Sequence, residues 1–184
     1  MFIFIAGNIG LDFCNTEVVV KGATVNLLDT NEDLILWAQE SGFPLTEKGM
    51  SAGDIDEALR LRQALKNVIL AKLEETTPLK KDLTLINQYL SSAPEQQQLQ
   101  FGKEGFVLDK KIKLPTTSEL FTQITQSVVT LLLGEQKYAV KKCANPQCIL
   151  HFVDKSRTQQ RKWCSMEACG NRLKVSAHHK RSKT

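Results

Sequence analysis

Four of the five cysteines fall at Cys143, Cys148, Cys164 and Cys169, a C-x4-C-x15-C-x4-C pattern. Thiolates are good zinc ligands, and two close pairs joined by a longer connection can each set two sulfurs on one turn and then meet. Zinc held by four sulfurs at roughly 2.3 Å has a complete tetrahedral shell, with no position for a substrate or an activated water. The expected zinc is therefore structural. The alternative, four unliganded thiols, would leave a cationic segment with few core residues and nothing to hold it together. His151, His178 and His179 are rival ligands, but the cysteines already fill the shell, so the histidines are expected to face solvent or phosphate. Cys14 stands apart between Phe13 and Asn15 and reads as a small buried residue. Between the two cysteine pairs, Ile149 to Val153 and Gln160 to Trp163 are expected to form a hairpin. So short a segment buries too little apolar surface by itself, which makes metal a large part of its folding free energy.

Charge singles out the same segment. Residues 137–184 hold 12 of the 24 Lys and Arg but only Asp154 and Glu167 of the 20 acidic residues, giving +10; residues 1–136 hold 12 basic and 18 acidic residues, giving −6. Four thiolates and a divalent ion would lower the +10 to about +8. Such segregation suits a basic module that approaches a polyanion and an acidic module with another task. Arg157, Arg161 and Lys162 lie between the cysteine pairs; Asn171, Arg172, Lys174, His178, Lys180 and Arg181 follow the last one. After Gly170, a stretch without Pro or Gly predicts a helix from Asn171 to Arg181, on which Lys174, His178 and Arg181 share an edge suited to a phosphate backbone or a major groove. Asn171, Arg172 or Arg161 could add base contacts, Arg favouring guanine and Asn adenine. The competing reading has Asn171 and Arg172 hydrogen-bonding within the zinc knuckle.

The elements that must carry this module read as mainly α with small β hairpins: a helical N-terminal domain plus a C-terminal four-cysteine zinc module of treble-clef or zinc-ribbon-like form. Phe2 to Ile5 and Leu11 to Thr16, broken by Gly7 and Gly10, suit strands or extended chain. Thr30 or Asn31 can cap a helix with Leu34, Trp37 and Ala38 on one side, ended by Gly42 and Pro44. Ser51 or Asp54 can begin a longer helix with the stripe Ala58, Leu61, Leu65, Val68, Ile69 and Leu73. A third carries Leu83, Ile86 and Leu90. Residues 96–114 read as a hairpin with a Gly-containing turn. After Pro115, Thr117 or Ser118 caps a helix whose Phe121, Ile124, Val128, Leu131 and Leu132 make a wide buried face.

The longest apolar runs, such as Val128 to Leu133, fall far short of the ~20 residues that span a bilayer. The opening Met1-Phe-Ile-Phe-Ile-Ala lacks the basic flank and length of a secretory signal, so a reducing cytoplasm is expected, where cysteines serve as metal ligands rather than disulfides. Asp12, Asn15 and Thr16 could meet Arg62 at the edge of the long helix's stripe. That cluster is read either as a pocket for a small-molecule or protein effector or, preferentially, as a buried Asp12–Arg62 pair that fixes the fold. No pattern for phosphate cradling, nucleophilic catalysis or an open metal site is present, so an enzyme is not expected.

Cys164-Ser-Met-Glu-Ala-Cys-Gly-Asn-Arg172, with Arg161-Lys-Trp163, Phe152-Val-Asp-Lys-Ser-Arg157 and Cys143-Ala-Asn-Pro-Gln-Cys148 before it, resembles the CGNR zinc finger, named for Cys169-Gly170-Asn171-Arg172. Leu11-Asp-Phe-Cys-Asn-Thr16 and Leu61-Arg-Gln-Ala-Leu65 are similar to the ABATE domain found before that finger, although Cys14 stands where that family more often has an aliphatic residue. The resemblance implies a bacterial, stress-induced transcriptional regulator with a DNA-binding finger. The combined expectation is residues 1–136 as an ABATE-like helical domain for ligand sensing or dimerisation and 137–184 as a nucleic-acid-binding finger. The alternatives are a zinc-stabilised adaptor for an acidic protein partner, an RNA-binding protein, or a thiol-based sensor that releases zinc on oxidation.

Overall fold

The computed structural model describes residues 2–91, 97–102, 105–110, 115–134 and 139–171. The expected helix from Asn171 to Arg181 thus lies almost wholly outside the described residues. The elements run α1 (Ile9–Cys14), β1 (Glu17–Val20), β2 (Ala23–Asn26), α2 (Asn31–Glu40), α3 (Asp54–Leu73), α4 (Lys80–Ser91), β3 (Gln97–Gly102), β4 (Gly105–Lys110), α5 (Thr117–Leu133), β5 (Ala139–Lys142) and β6 (His151–Asp154). Among the described residues each strand pairs antiparallel with its neighbour in sequence, giving three two-stranded ribbons. The fold is mainly α with small hairpins, as the periodicity predicts. No helix among the described residues is long and apolar enough to cross a membrane.

Local chemistry explains most boundaries. Thr30 caps α2 in a reciprocal box with Asp33, satisfying donors that the first helical turn leaves open. The cap of α5 is Thr116, one residue before the expected Thr117, because Glu119 three residues on completes the same box. Thr117 instead donates to Asp54 Oδ2 at 2.6 Å, tying the start of α5 to the start of α3. Along α3 the expected stripe is buried except Leu73, and on α4 Leu83 is also exposed while Tyr89 is buried. The expected hairpin within residues 96–114 is β3–β4, with Gly102 opposite Gly105.

The N-terminal segment departs from expectation. Residues 9–14 form a helix rather than a strand, with Asn8 accepting from the Leu11 amide. Gly10, Leu11, Asp12, Phe13 and Cys14 are all buried, so this short helix shows no polar face by which a 3.6-residue period could be recognised. Gly10 permits close approach to α5: a Cβ there would sit 2.4 Å from Val128 Cγ2 and 2.8 Å from the Ile124 carbonyl. The β1–β2 hairpin turns at Lys21 and Gly22, both at positive φ, the conformation of a tight two-residue turn.

Phe13, Trp37, Leu61, Leu65, Phe121 and Ile124 are at most 2% exposed. The same apolar cluster continues without a break into Cys143, Leu150, Phe152, Val153, Cys164 and Cys169. The metal-type segment therefore packs against the helical half.

Candidate metal centre

The sulfurs of Cys143, Cys148, Cys164 and Cys169 all lie within 4.8 Å of one another. Cys148 and Cys164 are 3.7 Å apart and Cys164 and Cys169 are 3.5 Å apart. A sulfur tetrahedron with 2.3 Å metal–sulfur bonds has edges of about 3.8 Å, whereas a disulfide needs about 2.05 Å. These separations fit a four-coordinate ion, and all four cysteines are free. The donor set suits zinc: four soft sulfurs in one shell, with Cys143, Cys164 and Cys169 buried and Cys148 half-buried.

Two turns present the sulfurs. In the first, the Asn145 carbonyl accepts from the Cys148 amide at 2.9 Å, and buried Asn145 Oδ1 accepts from the Gln147 amide at 3.0 Å. In the second, Ser165 accepts the Ala168 amide with its hydroxyl and the Cys169 and Gly170 amides with its carbonyl, opening a wide helical turn over Met166–Gly170. Gly170 is buried; a Cβ there would lie 2.7 Å from Met166 Sδ and 3.1 Å from Trp163 Cδ1, so its lack of a side chain lets both close over the turn. The Cys164 amide donates to Cys143 Sγ at 3.4 Å. The cluster shares protons unevenly. Hydrogen bonding from Cys164, with smaller help from the Leu150 backbone, brings Cys148 down to about 5, whereas Cys164 itself is pushed up by its bond to Cys148 and by burial.

The connection between the pairs is built differently from the expected hairpin. β6 pairs with β5, Lys142 opposite His151 and Ala139 opposite Asp154, and not with residues 160–163. Residues 160–163 are held elsewhere, the Lys162 carbonyl accepting from the Ala144 amide at 2.9 Å. Asp154 organises the loop between them. Its fully buried carboxylate accepts from Lys141 Nζ at 2.8 Å, from the Ser156 hydroxyl and amide, and from the Arg161 amide. Burial alone would raise its pKa, but these donors outweigh it and hold the group well below the usual carboxylate range. Asp154 was not singled out from sequence, although a lone acid among cations, two residues before Ser156, is a recognisable Asx-turn signal.

Arg161, expected at nucleic acid, faces inward. Its guanidinium donates to the carbonyls of Trp163, Val153, Ile5 and Cys164 and lies 4.2 Å from the Phe152 ring centroid. Arg157, Lys162 and Asn171 are exposed; Arg172, Lys174, His178, Lys180 and Arg181 lie outside the described residues, as does His179. His151 is 6% exposed and its Nε2 has no hydrogen-bond partner among the described residues, in contrast to the expected solvent-facing ring. Burial, then the charges of Lys142 and Lys66, lower its pKa to about 4.

Asp12 and Arg62 do not pair. Asp12 Oδ1 accepts from the Ala6 amide at 2.8 Å, and Arg62 donates to Thr16 Oγ1 at 2.9 Å and Asn26 Oδ1 at 2.7 Å, joining α3 to the β1–β2 hairpin. Thr16 also donates to the Phe13 carbonyl. Asn15 reaches the other way and holds the His151 backbone through both of its amide atoms. Burial keeps Cys14 protonated, its pKa pushed up to about 12, in keeping with an inert buried thiol.

A profile of the family described as "Putative stress-induced transcription regulator" (ABATE) matches residues 7–135, and one of the CGNR zinc finger matches residues 139–182. The chain belongs to the ABATE family and carries a CGNR zinc finger behind that domain. No curated protein matches it.

Proposed function

We propose that the protein is a transcription regulator that binds duplex DNA through a zinc-held cationic surface. The observation that carries this reading is the four-sulfur cluster in a segment that exposes Arg157, Lys162 and Asn171, within residues 137–184, which also hold Arg172, Lys174, Lys180 and Arg181 against only two acidic residues. Cys143, Cys148, Cys164 and Cys169 would hold the ion, which supplies folding free energy and no bond-making chemistry because its shell is full. The role is binding, not catalysis. Phosphate contacts would give affinity, while Asn171 and Arg172 are residue types that could read bases, Asn favouring adenine and Arg guanine. Arg161 is left out of this surface because its donors are already engaged.

The family description supports a regulator of gene expression in stress. Residues 1–136 then provide sensing or dimerisation. A cleft of about 440 Å³ lined by Asp54, Glu57, Tyr89, Thr117 and Phe121 is the candidate site for a small effector.

Fluorescence anisotropy of the zinc-loaded chain on duplex DNA tests this across a salt series. Neutralising about five phosphates gives a log–log slope of roughly −4 to −5, and Arg157→Ala or Lys162→Ala each reduces it by about one. A flat salt response, or binding unchanged after chelation, would overturn the reading. Tighter binding to single-stranded or structured RNA would move the assignment there.

A further inference from the structure

An isolated two-stranded ribbon leaves one edge of each strand unpaired. In β6 the inner edge meets β5, and the outer edge is taken by the N-terminal region. The Val153 amide donates to the Ala6 carbonyl at 2.8 Å. Two residues back on the same edge, the His151 amide donates to Asn15 Oδ1 at 3.0 Å while its carbonyl accepts from Asn15 Nδ2 at 2.8 Å. The spacing of two is the repeat by which a strand presents successive backbone groups to one side. Asp12 fixes the Ala6 amide from behind. Arg161 closes the path to the sulfurs, because one guanidinium nitrogen bridges the Ile5 and Cys164 carbonyls at 3.1 and 2.6 Å. All four residues of β6 are buried at this joint.

We propose that the metal centre and the N-terminal segment through α1 form one cooperative unit coupled through the outer edge of β6, so that metal loss is transmitted to residues 5–15. This inference rests on reading the four cysteines as a metal site. Asn15 and Arg161 act as positioning residues: neither supplies a ligand, yet both set where Cys164 and the strand after Cys148 lie. Partners of this kind, one step removed from the metal, change affinity by about 10–100-fold when lost. The coupling is reciprocal, since anything that loosens Asn15 must weaken metal binding by the factor with which metal steadies Asn15. An effector that shifts α1 would thereby tune metal retention.

The test uses the full chain loaded with zinc. Metal content is measured first, then affinity by competition with a chromogenic chelator, then amide hydrogen exchange with and without chelation. Asn15→Ala should lower metal affinity about tenfold with all four cysteines intact, and chelating the wild-type protein should accelerate exchange in residues 5–15 as well as 150–154 while α3 stays protected. Arg161→Lys, which keeps the charge but loses the fork, should weaken metal binding in the same direction and serves if Asn15→Ala does not fold. Wild-type affinity in either folded variant, or exchange changes confined to residues 139–171, would overturn the proposal while leaving the metal site standing. A reduced wild-type chain that takes up no metal would sink both.

Discussion

Arg62 is buried and Arg161 half-buried, and the two work in unlike surroundings. Arg62 sits on a twenty-residue helix whose neighbours Leu61 and Leu65 are fully buried; its two hydrogen bonds add a hairpin to a core that is already apolar. Arg161 sits in a loop, and its bonds to the Trp163, Val153, Ile5 and Cys164 carbonyls stand in for the regular backbone pairing this segment lacks. A helical core divides its stability among many contacts, whereas the metal segment concentrates it in four sulfurs and a few hydrogen bonds. Losses in the first region should be graded. Losses in the second should be abrupt.

The sharpest break in that comparison is Cys164→Ser. It should abolish zinc uptake and open residues 139–171 together with residues 5–15, read as a lost metal stoichiometry with new protease-sensitive sites in both stretches. Leu61→Ala, by contrast, should cost about 2–5 kcal/mol by denaturant unfolding and leave metal stoichiometry intact. Equal loss of metal from both variants would erase the distinction.

Gly10→Ala probes the helical side through backbone. Its new Cβ meets the Ile124 carbonyl as well as Val128, so α1 must move off α5; a loss of about 2–3 kcal/mol is expected, well above the gain of up to ~1 kcal/mol that alanine otherwise brings to a helix. Gly170→Ala meets the end of Met166, whose residue is 52% exposed and free to swing away, and its cost should be smaller, about 1 kcal/mol.

A subtler contrast lies within the joint between the two halves. His151 has its pKa lowered from 6.5 to about 4, so between those values the unfolded chain binds a proton that the folded chain refuses, and stability falls as pH drops. Asp12 has its pKa raised from 3.8 to about 6, chiefly by burial and partly offset by the Ala6 and Ile5 amides, so over nearly the same window the folded chain binds the extra proton and stability rises as pH drops. The two effects oppose each other. Asp12→Asn should therefore steepen acid destabilisation between pH 6.5 and 4, and His151→Gln should flatten or reverse it, each by on the order of 2 kcal/mol across the window. Denaturation midpoints of the variants relative to wild type at about pH 7 and 4.5 read this directly, metal-linked changes being common to all three. Parallel curves would show that neither group is buried as described.

Where chemistry is local, the sequence was readable. Thr30, the α3 stripe from Ala58 to Ile69, and the two cysteine pairs are recognisable because caps, helical period and ligand spacing each depend on a few consecutive residues. The cap at Thr116, expected one residue later, and the unforeseen turn at Lys21-Gly22 are equally short motifs, the first marked by Glu119 three residues on and the second by its glycine. The helical nature of Leu11 to Cys14 was not, because a helix buried on every side has no pattern of exposure.

Residue order alone dictates that four sulfurs share a centre, that a cationic segment surrounds it, and that the remainder is mainly helical. Packing in three dimensions chose the strand that β6 pairs with, turned Arg161 inward, and set Asn15 to hold His151 from 136 positions away. The reason is physical: a strand edge or a guanidinium takes whichever acceptors and donors the packed chain brings to it, and no spacing along the sequence encodes a partner that only folding makes a neighbour.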